Sequence, residues 1–202
     1  MKVVIEVGAN NGRDTKRLLN EYDCDVFSFE PVPKLYNKII SDIQDDRLHM
    51  INAAVGKYTE TRDFNITVEA GPHPAHGSSS LFNFRDDIQE RWKRDDFYMG
   101  ETIKTKVWAL EDFIVENGIT EILHLHCDAQ GNDLNVLKGL GDQAGILNNG
   151  LIEVTDQLNL YDNNENTKEQ AMQWLDENGF VVTKTKHNDK LQAELNIWFR
   201  RK

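Results

Sequence analysis

An apolar run that stops at a glycine turn constrains this chain most. Val3-Val4-Ile5-Glu6-Val7 passes directly into Gly8-Ala9-Asn10-Asn11-Gly12. Residues 14–22 then place Leu18, Leu19 and Tyr22 on one helical face, with Asp14 as N-cap or first-turn acid. A short β-branched run reads as a buried strand, and glycines let the backbone turn sharply into a helix. The unit then repeats. Residues 26–29 read as a strand, residues 33–43 as a helix with Pro33 near its start, and residues 48–54 as a third strand. Strands alternating with helices of this length imply parallel βαβ units.

The middle breaks the rhythm. Residues 62–68 read as a strand, 71–80 as a Gly, Pro, His and Ser loop, 86–94 as a short polar helix and 102–107 as a strand. This stretch, about 57–108, is expected to be an insertion that builds the substrate side. The βα pattern returns with a helix over 110–117 closed by Gly118, a strand over 121–127 and a helix over 133–140. A strand over 151–155, a helix over 165–178 and strands over 180–185 and 195–199 complete it. No repeat or linker interrupts the pattern, so residues 1–202 are expected to form a single domain.

Composition narrows the class. The net charge of −11 disfavours general binding to phosphate backbones. Arg91, Lys93 and Arg94, and Arg200, Arg201 and Lys202, are the places where basic charge gathers, and they read as a solvated helix face and tail. Cys24 and Cys127, far apart and both expected in core-sheet elements, read as reduced thiols of a cytoplasmic protein. No apolar run approaches the roughly 18 residues of a membrane span, and no secretory leader is evident. The first strand begins at once, with no helix before it, so the ligand pocket is expected to be open or covered by a partner chain.

Four signals carry chemistry. The first is the Gly-x-x-x-Gly turn before a helix N-terminus, whose free N–H groups favour a carboxylate or amino-acid group over a pyrophosphate. The second is Glu30, 22 residues after Gly8, placed to accept both ribose hydroxyls of a nucleoside. The third is Asn52-Ala53-Ala54, where small side chains leave room for adenine and Asn52 can bond its edge. The fourth is His126-Cys127-Asp128-Ala129-Gln130-Gly131, with Asp128 at the strand's carboxyl end.

The ordered set Ile5-Glu6-Val7-Gly8-Ala9-Asn10-Asn11-Gly12, Phe29-Glu30-Pro31, Asn52-Ala53-Ala54-Val55-Gly56, Gly77-Ser78-Ser79-Ser80-Leu81, Asp128-Ala129-Gln130-Gly131 with Val136-Leu137-Lys138-Gly139, and Ile152-Glu153-Val154 resembles the FkbM family of methyltransferases. The resemblance implies a Rossmann-like class I methyltransferase: an α/β fold with a mostly parallel seven-stranded sheet, helices on both faces and an antiparallel last strand. It implies S-adenosylmethionine as cofactor and O-methylation of a hydroxyl on a sugar, glycolipid or small metabolite. Glu6, Gly8, Ala9, Asn10, Asn11, Gly12, Glu30, Pro31, Asn52, Ala53, Ala54, Ser79 and Asp128 are then the candidate cofactor residues. Asp128 and His126, with Glu153 as an alternative, are the candidate catalytic residues.

The fourth motif departs from the family pattern: His126 stands at a usual lysine, and Gln130 and Asp133 at usual glutamates. Residues 77–80 are expected to act as a lid, and His73 and His76 can reach over a substrate. His124 is expected to be a hydrogen-bonded core residue. Asp128, Glu153 and Asp156 offer oxygen ligands to a divalent cation, but no dense ligand motif supports one, so no metal is expected. Two other classes compete: a nicotinamide-dependent oxidoreductase, opposed by the missing G-x-G-x-x-G, and a non-catalytic nucleoside-binding module.

Overall fold

A computed structural model describes residues 1–67, 77–92, 98–157, 159–188 and 193–202. The first half holds β1 (Lys2–Val7), α1 (Arg13–Glu21), β2 (Asp25–Phe29), α2 (Pro33–Asp42), β3 (Leu48–Ile51), β4 (Ala54–Gly56) and β5 (Glu60–Thr67). After these come α3 (Ile88–Trp92), β6 (Met99–Ala109), α4 (Leu110–Asn117), β7 (Glu121–Cys127) and α5 (Asp133–Lys138). A 3-10 turn (Gly141–Ile146), β8 (Asn149–Thr155), α6 (Lys168–Glu177), β9 (Phe180–His187) and β10 (Glu194–Arg201) complete the order.

Seven strands form the central sheet in the order β3-β2-β1-β7-β8-β10-β9. The first five are parallel, and β10 runs antiparallel between β8 and β9. Alternate side chains go to opposite faces. Val3, Ile5, Val7, Phe27 and Phe29 meet α4, α5 and α6 in the larger core, through Phe113, Ile114, Leu134, Leu137, Ala171 and Leu175. Val4 and Val26, on the other face, meet Leu18 and Leu19 of α1.

Local chemistry sets the helix ends. Pro33 opens α2 after an extended Val32, and Gly118 closes α4 in the left-handed region. Thr167 caps α6 by accepting the Gln170 N–H at 3.3 Å, so that helix starts at Lys168 and not at 165. Gly12, not Asp14, is the N-cap of α1; Asp14 lies in its first turn.

The third expected strand, residues 48–54, is two. Asn52 breaks it, and Ala54 leaves the main sheet to pair with Val107 in a second sheet of order β4-β6-β5. The apolar face of that sheet is Ala54, Phe64 and Val107, which pack with Val32 and Leu81. The middle strands are longer than expected, because β5 and β6 pair as a hairpin-like antiparallel ribbon. Cys24 lies just outside β2 and is half-buried, whereas Cys127 is buried in β7. Val68, the stretch with His73 and His76, and Lys93 and Arg94 lie outside the described residues.

Leu125 is fully buried at the centre of β7, between β1 and β8. Leu125→Ala is expected to cost about 2–5 kcal/mol in urea denaturation, the range for deleting a buried leucine side chain.

Candidate active site

Three strand ends converge on the turn after β1. The N–H groups of Gly8 and Ala9 both donate to the Phe29 carbonyl at 3.0 Å, and the Asp128 N–H donates to the Val7 carbonyl at 3.0 Å. Gly8 has φ 83°, and a Cβ there would lie 2.1 Å from the Asp128 carbonyl oxygen. Only glycine permits that approach.

A cleft opens beside this junction, with about 580 Å³ of empty space counted to its mouth. Of the turn residues, Gly8 and Asn10 line it, whereas Ala9, Asn11 and Gly12 shape the turn behind. Glu30 and Pro31 line it after β2, Ala53 and Ala54 after β3, Ser79 at the Gly77 segment, and Asp128 after β7. Its apolar end is Leu35, Phe64 and Leu81.

Glu30 is only 4% exposed. One carboxylate oxygen accepts the Asn10 N–H at 2.7 Å and the other accepts the Val32 N–H at 2.8 Å. Burial raises its pKa to about 7 despite these two donors. Each oxygen retains acceptor capacity beyond its backbone bond. An apolar slot beside a carboxylate suits an adenine nucleoside.

Two candidates lie elsewhere than expected. The Asn52 amide does not reach the cleft; it donates to the carbonyls of Glu30 at 2.8 Å and Pro31 at 3.1 Å, holding the turn that presents Glu30. Glu6 is fully buried behind the turn. Its Oε2 accepts the Thr15 and Ser28 hydroxyls, both at 2.6 Å, tying α1 to β2. Its Oε1 has no partner among the described residues, and burial raises its pKa to about 7.

Asp128 also lines a second, polar cavity, and His126 and Glu153 belong to that cavity alone. His126 is 8% exposed, with Nδ1 3.3 Å from an Arg17 Nη2. Burial lowers its pKa to about 4, so it is neutral at pH 7. His124 is a core residue, with Nδ1 2.6 Å from the Asn149 side-chain oxygen. Asp156 is held by His187 at 2.7 Å and Lys168 at 3.4 Å, apart from Asp128 and Glu153. Among the described residues no group of three or more His, Cys, Asp or Glu side chains can hold a metal ion.

Sequence reasoning missed the residues that fix these groups. The Gln130 amide donates to Asp128 Oδ1 at 2.5 Å and to Glu153 Oε1 at 3.4 Å. Its carbonyl oxygen lies 2.7 Å from the Tyr161 hydroxyl, which also reaches the Ser78 carbonyl at 2.9 Å. Gln130 takes φ 48° and Gly131 φ 84°, where a Cβ would lie 2.6 Å from the Tyr161 ring. Buried Asp133 accepts the Ala129 N–H at 3.2 Å and the Glu153 N–H at 3.0 Å, clasping β7 to β8. Burial and the nearby Asp128 raise its pKa to about 7. A Gln-Gly pair at a strand end, followed by Asp133, is the signal that could have revealed this clasp.

The sheet order, with a cleft at the ends of its strands, is that of a class I methyltransferase fold. Residues 6–182 match the Methyltransferase FkbM domain. The chain belongs to the FkbM methyltransferase family, and S-adenosylmethionine is its methyl donor.

No curated protein sequence matches the chain. Among solved structures, a methyltransferase FkbM from Methylobacillus flagellatus KT is similar with TM-score 0.54 and 12% identity, covering 98% of this chain and 43% of that one. A putative S-adenosylmethionine-dependent methyltransferase from Listeria monocytogenes gives TM-score 0.53 at 9% identity, over 100% and 91%. Aeropyrum pernix fibrillarin, solved with natively bound S-adenosyl-L-methionine, gives TM-score 0.53 at 8% identity, over 98% and 65%. The chain therefore spans less than two thirds of the fibrillarin and less than half of the Methylobacillus protein. At these identities the likeness is one of fold.

Glu6, Glu30 and Asp133 all have pKa values raised to about 7 by burial. A raised folded-state pKa means the folded chain binds more protons than the unfolded one between about pH 4 and pH 7. Stability from these groups is therefore full at low pH and is lost as pH rises through 7. The urea midpoint is expected to be higher at pH 6 than at pH 8, and Glu6→Gln to flatten that slope. A midpoint that rises with pH would contradict the raised values.

Proposed function

We propose that this chain transfers the methyl group of S-adenosylmethionine to a hydroxyl of a sugar, glycolipid or small metabolite. The observation that carries the reading is that two cavities meet at one carboxylate: Asp128 borders both the cleft beside Glu30 and the second, polar cavity. Within the cleft, Glu30 would accept the ribose hydroxyls, and Ala53, Ala54, Leu35, Phe64 and Leu81 would stand beside the adenine. Gly8 and Asn10 would meet the amino-acid end, and Ser79 lines the same cleft.

S-adenosylmethionine supplies an electrophilic methyl on a sulfonium, with a neutral thioether as leaving group. Positioning therefore provides much of the acceleration. The acceptor hydroxyl must lose its proton as the new C–O bond forms, and Asp128 takes it. Burial raises the Asp128 pKa, which makes it a better base than a free carboxylate. The Gln130 amide donates to Asp128 Oδ1 and so orients the carboxylate. His126, neutral at pH 7, and Glu153 line the acceptor side. The net charge of −11 speaks against a polyanionic acceptor.

Calorimetric titration with S-adenosylmethionine tests the donor site. Glu30→Ala is expected to weaken binding at least about tenfold, since hydrogen bonds to a charged group contribute about 1.5–3 kcal/mol each. Undiminished affinity would remove Glu30 from the site. With an active acceptor in hand, Asp128→Asn is expected to lower kcat by about 10²–10⁴-fold, as for loss of a general base, while the nucleoside still binds.

A further inference from the structure

The second cavity carries a charge that methyl transfer alone does not require. It opens beside α1 along β7, β8 and β10, with about 1060 Å³ of empty space counted to its mouth. Four carboxylates line it: Asp14, Glu21, Asp128 and Glu153. Arg17 is the one guanidinium or ammonium among the described lining residues. It is already engaged, with Asp14 at 3.0 Å and Glu21 at 2.8 Å. Burial lowers the pKa of both His124 and His126, so neither supplies positive charge at pH 7.

The inner pair is the least compensated. Among the described residues, Asp128 and Glu153 receive hydrogen bonds from neutral amides, those of Gln130 and Asn188. Burial pushes the Glu153 pKa well up, and the nearby Asp128, Glu194 and Asp133 add to it. Among the described residues no cation stands between these two carboxylates, which share one amide donor in a cavity open to ligand. Both lie within hydrogen-bond reach of the same Gln130 nitrogen, so groups on adjacent carbons of one molecule can meet one carboxylate each. A phosphate or carboxylate brought here would face four acids and one spent guanidinium.

We propose that this cavity, on the methyltransferase reading above, selects a vicinal amino alcohol such as an amino sugar: its hydroxyl meets Asp128 and its protonated amine meets Glu153. The amine supplies counter-charge to the inner carboxylate pair, and Trp198, whose ring carries the Lys184 ammonium at 4.6 Å, stands on the β10 side of the cavity beside the carbon skeleton. Anionic acceptors are excluded by the same field. Glu153 is then a specificity residue, distinct from the proton acceptor.

The test titrates protein saturated with S-adenosylhomocysteine with glucosamine, glucose and glucose 6-phosphate at pH 7. Glucosamine is expected to bind at least about tenfold more tightly than glucose, a modest share of what a partly buried ion pair can give. Glucose 6-phosphate is expected to bind most weakly. Glu153→Gln should abolish the advantage of the amine while leaving affinity for S-adenosylhomocysteine within about twofold. Because the amine draws Glu153 toward its ionised form, binding to the unmutated protein should also release protons, read as a heat that depends on the buffer. Equal affinities, binding by none of the three, tighter binding of the phosphate, or an advantage that survives Glu153→Gln would overturn the proposal. A preference that vanishes in EDTA would assign the carboxylate pair to a divalent cation and overturn it as well. Failure of S-adenosylhomocysteine itself to bind would instead strike the methyltransferase reading.

Discussion

The close passage of Gly8 against the Asp128 carbonyl is the contact on which the rest of the molecule depends. It draws the carboxyl ends of β1 and β7 together, while two N–H groups of the same turn bind the end of β2. The crevice outside these strand ends is where an open α/β sheet binds ligands. Everything that faces the cleft is hung from this junction. Asn10 fixes the Glu30 carboxylate, Asn52 fixes the turn that carries Glu30, and the Asp133 clasp adds β8. The glycine matters less as a seat for a ligand than as the place where two backbones can touch.

Much of this was legible in the residues themselves. Val3, Val4, Ile5 and Val7 form a β-branched run broken only by Glu6, and both faces of that strand are buried, so sequence pattern and structure agree. Glu30, Gly8 and Asp128 were legible because each stands at a strand end, where sequence spacing alone fixes position. What escaped were the contacts made by loops. Asn52 interrupts an apolar stretch, and only the folded turn shows that its amide is consumed by two carbonyls. Tyr161 stands in a polar segment with no periodicity, yet it packs on Gly131 and reaches Gln130, two partners 30 and 31 residues away. Glu6 was read as a ligand group because of its place in the motif. In the fold its β-strand alternation turns it away from the cleft, toward Thr15 and Ser28.

Buried carboxylates recur through the site with little cationic compensation. Glu6, Glu30, Asp133 and Glu153 are held by hydroxyls, amides and backbone N–H groups. Such bonds orient a carboxyl group firmly but repay only part of its desolvation. The arrangement favours geometry over stability, as functional sites commonly do. Gln130 has a particular place in it. At a position where the family usually has an acid, a neutral amide binds two carboxylates at once and keeps a third negative charge out of their midst.

The position of β10 has a consequence for how the chain is made. It lies between β8 and β9, so β9 has no neighbour in the sheet until residues beyond 193 are available. During synthesis the half built on β1, β2, β3 and β7 can assemble early, whereas the far edge must wait with an apolar strand edge exposed. A ribosome that stalls between β9 and β10 would release a chain whose β8 edge is unpaired, an open template for another strand and hence for aggregation.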